Sequence, residues 1–243
     1  MVAVSNSKSI GEWAKNELAS FSRKSIHSSS WRSASTGASI GSDLFAATGE
    51  HNSLQRPSRG LRYLLSSLPD QEHLQVLDLG GLSELNVNFL SSIGCKIHAL
   101  DLLSLFDTYR ASLSGRGLGP GDAETFIEEY LGYTPAAFDA ILVWDVLEFF
   151  DTEVLELAVS RLGQLLAPGG SMLTFFHTQS KGELVTVHQY QIEDADQLRL
   201  RELRQRPLPH TFNNRSLERL FGGFNSLKFF LTRDSIREVI VIR

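Results

Sequence analysis

The chain is expected to fold as an α/β protein: a mostly parallel sheet of six or seven strands with an antiparallel final strand and helices on both faces. Three observations predict this. Between Gln75 and Phe176, apolar runs of strand length alternate with stretches of helical apolar spacing, as in strands joined by crossover helices. VLDLGG, residues 76–81, joins a buried-type strand to two glycines and then to Ser83 ahead of a helix, and glycines let a chain turn sharply at that junction. Finally, Leu227–Leu231 and Ile236–Ile242 flank Arg233-Asp234-Ser235, turn chemistry that closes a hairpin.

The elements follow in order. Ser9 and Glu12 have capping-box spacing, and Ile10, Trp13, Ala14, Leu18 and Phe21 then recur at helical spacing, predicting an amphipathic helix. Residues 25–42 are dominated by Ser, Ala, Thr and Gly, too poor in apolar side chains to offset the entropy of ordering. A second helix starts after Pro57-Ser58, carries Leu61, Leu64, Leu65 and Leu68, and stops before Pro69. Strands are expected near 75–79, 96–101, 140–144 and 171–176, with helices near 84–93 and 153–166. Pro168-Gly169-Gly170 closes the last of these helices. Between 102 and 135 the pattern breaks down: 115–121 is rich in breakers and 124–131 reads as helix, so the intervening strand is missing or very short. Asp194-Ala195-Asp196 marks the turn of a further hairpin over 184–203, placed where a lid would be inserted. The domain reading is therefore an N-terminal helix and Ser-rich segment over 1–57, then one domain over 58–243.

Composition narrows the function. At 243 residues, 42% hydrophobic and 21% charged, the chain has the balance of a globular protein and no apolar run long enough to span a membrane. A net charge of −5 argues against a nucleic-acid partner; the cluster Arg199, Arg201, Arg204 and Arg206 reads as a solvated strand edge. A single cysteine, Cys95, excludes an internal disulfide and Cys-rich zinc schemes and fits a reducing cytoplasm. No metal-ligand spacing occurs among the seven histidines.

The chemistry concentrates on 76–101. A glycine turn at the carboxyl end of the first parallel strand, followed by a helix N-terminus, is where open α/β sheets bind ligands. Asp101 ends the next strand, where a carboxylate can accept two hydrogen bonds from a ribose cis-diol; an Asp at a strand end also commonly just begins a turn. His177, at the end of a later strand, is a candidate general base, with the polar strand terminus as its bland alternative. His188, Tyr190 and His210 are weaker candidates.

Taken together, the segments resemble class I S-adenosylmethionine-dependent methyltransferases, whose fold is Rossmann-like. VLDLGG matches the family's first motif at strand, acid and first glycine; HALDLL matches the acidic end of the second strand. FDAILVWDVLEFF, 138–150, resembles the fourth-strand motif, and LLAPGGSMLTFF, 165–176, the helix, turn and fifth strand. The resemblance covers roughly 58–243. It implies S-adenosyl-L-methionine as cofactor, with Asp78, Gly80 and Gly81 on its methionine side, Asp101 and Leu102 at ribose and adenine, and Trp144 and Asp145 below the methyl. Where the family places two more glycines, this chain has Leu82 and Glu84. Leu82 would crowd the amino-acid end, and Glu84 would repel its carboxylate or bond its ammonium.

The resemblance thus implies methyl transfer to an unidentified, small-molecule acceptor, with the N-terminal segment and the 184–203 hairpin over the substrate. The alternative is a catalytically silent methyltransferase-like module working through protein contacts, as a homodimer or with another protein, by way of the hairpin or the N-terminal helix. A nicotinamide-dependent oxidoreductase fits less well, because Gly-Gly-Leu-Ser-Glu lacks the spacing of the dinucleotide loop.

Overall fold

The structure, a computed structural model, describes residues 53–71, 73–232 and 234–243. The expected N-terminal helix and Ser-rich segment lie outside the described residues. Among the described residues sixteen elements, one of them a 3₁₀ turn, follow in the order β1 (Ser53–Pro57), α1 (Arg59–Ser67), β2 (Gln75–Asp78), α2 (Glu84–Ser92), β3 (Lys96–Ala99), α3 (Leu102–Ser112), α4 (Asp122–Tyr130), β4 (Phe138–Trp144), the 3₁₀ turn Val146–Phe149, α5 (Thr152–Leu165), β5 (Leu166–His177), β6 (Leu184–Asp194), β7 (Gln197–Pro207), α6 (Asn214–Leu220), β8 (Ser226–Leu231) and β9 (Ile236–Ile242).

Six strands form the main sheet in the order β3-β2-β4-β5-β9-β8. The first four are parallel; β9 runs antiparallel to both β5 and β8. The chain leaves β2 for β3 on one side and then crosses to β4 on the other, so the strand order reverses beside β2. A crevice opens outside the carboxyl ends at such a point. Between β3 and β4 lie only the helices α3 and α4: the strand that the sequence left missing is absent there, because 122–130 carries Ala123, Phe126, Ile127 and Tyr130 at helical spacing and buries all four.

Both faces of the sheet are covered. On one, α3, α4, α5 and the 3₁₀ turn bury Phe106, Phe126, Phe150, Leu162 and their neighbours against Ile141 and Val143 of β4. On the other, Leu61 and Leu64 of α1 and Leu90 of α2 pack on Ala140, Leu142 and Trp144. Strand alternation sends the successive residues of β4 to opposite faces. Cys95 is buried on this second side.

A second sheet of three strands, ordered β1-β7-β6, lies over the same side. Its inward residues Tyr190, Ile192, Leu198 and Leu200 join the α1 and α2 core. The hairpin reaches Pro207, four residues beyond the expected end, and β7 is its central strand because β1 pairs with it from Ser53↔Arg201 to Pro57↔Gln197. Residues 53–57, read from sequence as part of the N-terminal segment, are thus a strand. The basic cluster lies on this central strand rather than on an edge; Arg201 and Arg204 are exposed, Arg199 pairs with Glu193, and Arg204 and Arg206 pair with Asp107 of α3.

Candidate functional site

The VLDLGG segment forms β2 and a turn at the switch point. Asp78, 1% exposed, ends the strand and organises the turn. Its Oδ1 accepts from Gly80 N–H at 3.0 Å and from the Trp144 indole N–H at 2.7 Å, and its Oδ2 accepts from Asn86 Nδ2 at 2.8 Å. Burial raises its pKa, and these hydrogen bonds pull the other way. Gly81 has φ +86°, in the region that favours glycine. Ser83 then caps α2 through Asn86 N–H.

Asp101 stands directly beside this turn. Gly80 and Asp101 form an isolated antiparallel bridge, and a Cβ added at Gly81 would lie 3.3 Å from Asp101 Cβ. The carboxylate is exposed and caps α3, Oδ1 accepting from Ser104 N–H at 2.9 Å and Oδ2 from the Ser104 hydroxyl at 2.8 Å. Each oxygen keeps a lone pair for a further donor. The residue begins a turn, as one sequence alternative had it, and its carboxylate faces outward. Leu102 is buried, its N–H bonded to Leu79 O. Leu82 is half-exposed and Glu84 exposed at the rim.

Over Gly80 the site is filled from above. Trp144 ends β4 with φ +58°, a conformation rare for a bulky residue and worth about 1–3 kcal/mol of strain. Its ring lies so close that a Cβ at Gly80 would come within 2.4 Å of Trp144 Cδ1. Tyr190 of β6 stacks on the indole, centroids 5.2 Å apart and planes within 4°, and its hydroxyl donates to Asp145 Oδ2 at 3.2 Å. Asn86 fastens β6 to α2, donating to Tyr190 O at 3.1 Å and accepting from Ile192 N–H at 2.7 Å. Gln189 donates to Leu82 O at 3.2 Å. The hairpin therefore covers the glycine turn itself. Gly80→Ala is expected to lower stability by about 1–3 kcal/mol, as overpacked core positions do, read by urea denaturation; an unchanged midpoint would mean the indole is free to move.

His177, the expected base, is buried at the end of β5 with its Nδ1 against Glu148 Oε1, and its own N–H donates to Glu148 Oε2 at 2.8 Å. Burial opposes charge on this imidazole, but the Glu148 hydrogen bond and charge outweigh it and raise the pKa. Burial, then the Glu148 charge, pushes Asp145 up to about 7. Asp145, Glu148 and His177 form a buried group with metal-ligating chemistry. Histidine spacing does not reveal it, since two of its members are carboxylates, and Glu148 lies inside the apolar segment DVLEFF. His210 instead bonds Phe150 O and lines a cavity of about 630 Å³ between α5 and α6; that cavity contains none of the expected cofactor residues.

The architecture is Rossmann-like. No family model matches the chain, and no curated protein matches it. Solved structures resemble it distantly. A SAM-dependent methyltransferase from Methanosarcina mazei is 16% identical, over 74% of this chain and 96% of that one, with a TM-score of 0.45. One from Archaeoglobus fulgidus is 11% identical, over 75% and 91%, at 0.44. The Burkholderia thailandensis 1,6-didemethyltoxoflavin-N1-methyltransferase, with S-adenosylhomocysteine bound, is 13% identical, over 76% and 79%, at 0.41. Among the described residues no helix is long and apolar enough to cross a membrane.

Proposed function

We propose that the protein binds S-adenosylmethionine and transfers its methyl group to a small-molecule acceptor. One observation carries this reading: the positive-φ Gly81 turn and the exposed Asp101 carboxylate meet at the carboxyl ends of adjacent parallel strands, at the strand-order reversal. That is the geometry a ribose-bearing ligand requires, with paired acceptor oxygens beside a turn that backbone can approach closely.

The residues fit the ribose half of the cofactor, which Asp101 and Gly81 would hold, with Leu102 beneath them and Leu82 and Glu84 at the rim. When bound, the group supplies a methyl activated on a sulfonium. Asp78 serves by fixing the turn, since its oxygens are already engaged by Gly80, Asn86 and Trp144. Trp144 and Asp145 would bound the reacting end, and the β6–β7 hairpin would exclude water there; orientation and exclusion can together supply about 7–11 kcal/mol. His177, held by Glu148, lies at the end of β5 beside them. A reducing cytoplasm is the proposed setting for a chain whose single cysteine is buried and free.

A second reading, a catalytically silent module that works through protein contacts, is favoured by the indole of Trp144 over Gly80 and the Tyr190 ring above it. Calorimetric titration with S-adenosylmethionine separates the two. The proposed function requires saturable binding, and Asp101→Asn should weaken it about tenfold or more, the loss of one or two charge-assisted hydrogen bonds. Asn is chosen because it preserves the α3 cap, which Ala would remove. No saturation with the wild-type chain would establish the silent reading.

A further inference from the structure

The carboxyl ends of β4 and β5 bring together side chains that the glycine turn does not use. Asp145 follows β4, Glu148 sits in the 3₁₀ turn, and His177 ends β5. Each offers one ligand atom, and those atoms all lie within 4.8 Å of one another. The three residues are 2%, 1% and 5% exposed. Glu148 Oε1 and His177 Nδ1 face each other directly, and Asp145 Oδ2 carries only the long 3.2 Å bond from Tyr190.

Acidic groups outnumber basic ones in this cluster. Arg56 is the described cation whose charge reaches both His177 and Tyr190, but its guanidinium is engaged by Asp234 and Glu238. Two carboxyl groups are left to one imidazole in a desolvated place, where burial favours a retained proton on Asp145 over a second buried charge. On the neighbouring β6, His188 Nδ1 is buried without a hydrogen-bond partner, near enough to His177 for that imidazole's charge to oppose its own.

We propose that Asp145, Glu148 and His177 bind a first-row divalent cation. Two carboxylate oxygens and one imidazole nitrogen suit Mn²⁺, Fe²⁺ or Zn²⁺ better than Mg²⁺, which prefers oxygen ligands and retained water. As the cation enters, the proton between His177 Nδ1 and Glu148 and any proton held by Asp145 leave to solvent, because the imidazole must offer a lone pair and the carboxyls must bind as carboxylates. Bound there, the cation ties the ends of two parallel strands to the turn between them. The site does not rest on the methyl-transfer reading.

The test uses the full chain, stripped with EDTA and titrated with Mn²⁺, with the free ion read by electron paramagnetic resonance. One ion per chain should bind saturably. Glu148→Gln and His177→Gln should each weaken binding by about 100-fold or more, since even outer partners of a metal ligand are worth about 10–100-fold; circular dichroism verifies that the variants fold. On the wild-type chain, spin-echo modulation from the bound ion should report one coordinated imidazole nitrogen, a readout independent of any variant. Free Mn²⁺ rising linearly from the first addition, a bound ion without nitrogen modulation, or folded variants of unchanged affinity would each overturn the proposal.

Discussion

Asp78→Ala is expected to lower stability by about 3–5 kcal/mol, measured by urea denaturation. The side chain is 1% exposed and accepts from three donors, Gly80 N–H, Asn86 Nδ2 and the Trp144 indole. Each donor left buried without a partner costs about 1–3 kcal/mol, and water entering the gap would recover part of the sum. Asp78→Asn should not rescue it. Its amide would point a donor at Asn86, and Asn86 cannot turn to answer, because its oxygen is held by Ile192 N–H and its amide also by Tyr190 O. A loss below about 1 kcal/mol for the Ala variant would show that the turn stands without the carboxylate.

Arg56→Ala should cost a similar amount, about 3–5 kcal/mol, the usual penalty for removing one partner of a buried ion pair. Arg56 is 3% exposed and Glu238 fully buried, with Arg56 Nη1 2.9 Å from Glu238 Oε1. Glu238 also accepts from Gly60 N–H and the Ser58 hydroxyl at the start of α1. The loss would leave a carboxylate in the core between β9 and α1. Since Arg56 also lies 5.1 Å from the Phe175 ring centroid, packing is lost along with charge. The double variant Arg56→Met with Glu238→Leu should recover most of the stability, because an apolar pair of similar volume avoids the desolvation penalty; failure to recover would point to the α1 start, rather than charge, as what Glu238 supports.

Local signals in the sequence were read well. The 3.6-residue spacing of Val154, Ala158, Leu162 and Leu165 placed a helix within one residue of its observed ends, and the glycine turn and Asp101 lie side by side at the ends of adjacent strands. What escaped depends on contacts between distant parts of the chain. Nothing local to Ser53–Pro57 says that it will pair with β7, about 140 residues away. The Trp144–Tyr190 stack and the Asn86 clamp on β6 likewise join residues whose separation in sequence carries no period. The ion pairs of Arg204 and Arg206 escaped because Asp107, their partner, belongs to a helix in the stretch where the pattern is weakest. Glu148 was hidden for another reason: in DVLEFF it sits among apolar neighbours at a spacing that reads as a turn, and its partner His177 lies on another strand.

The pairing of β1 with β7 gives the cover over the glycine turn a definite unit of motion. Because β1 bonds to β7 along its whole length and β7 to β6, Tyr190 cannot lift away from Trp144 as a loose hairpin tip. Ser58 N–H bonds Asp196 O at the hairpin turn, so the start of α1 is fastened to the same piece. Entry to the space above Gly80 is thereby coupled to the Arg56–Glu238 pair under the same three strands, and a ligand there would be felt as a change in how firmly the first described strand is held.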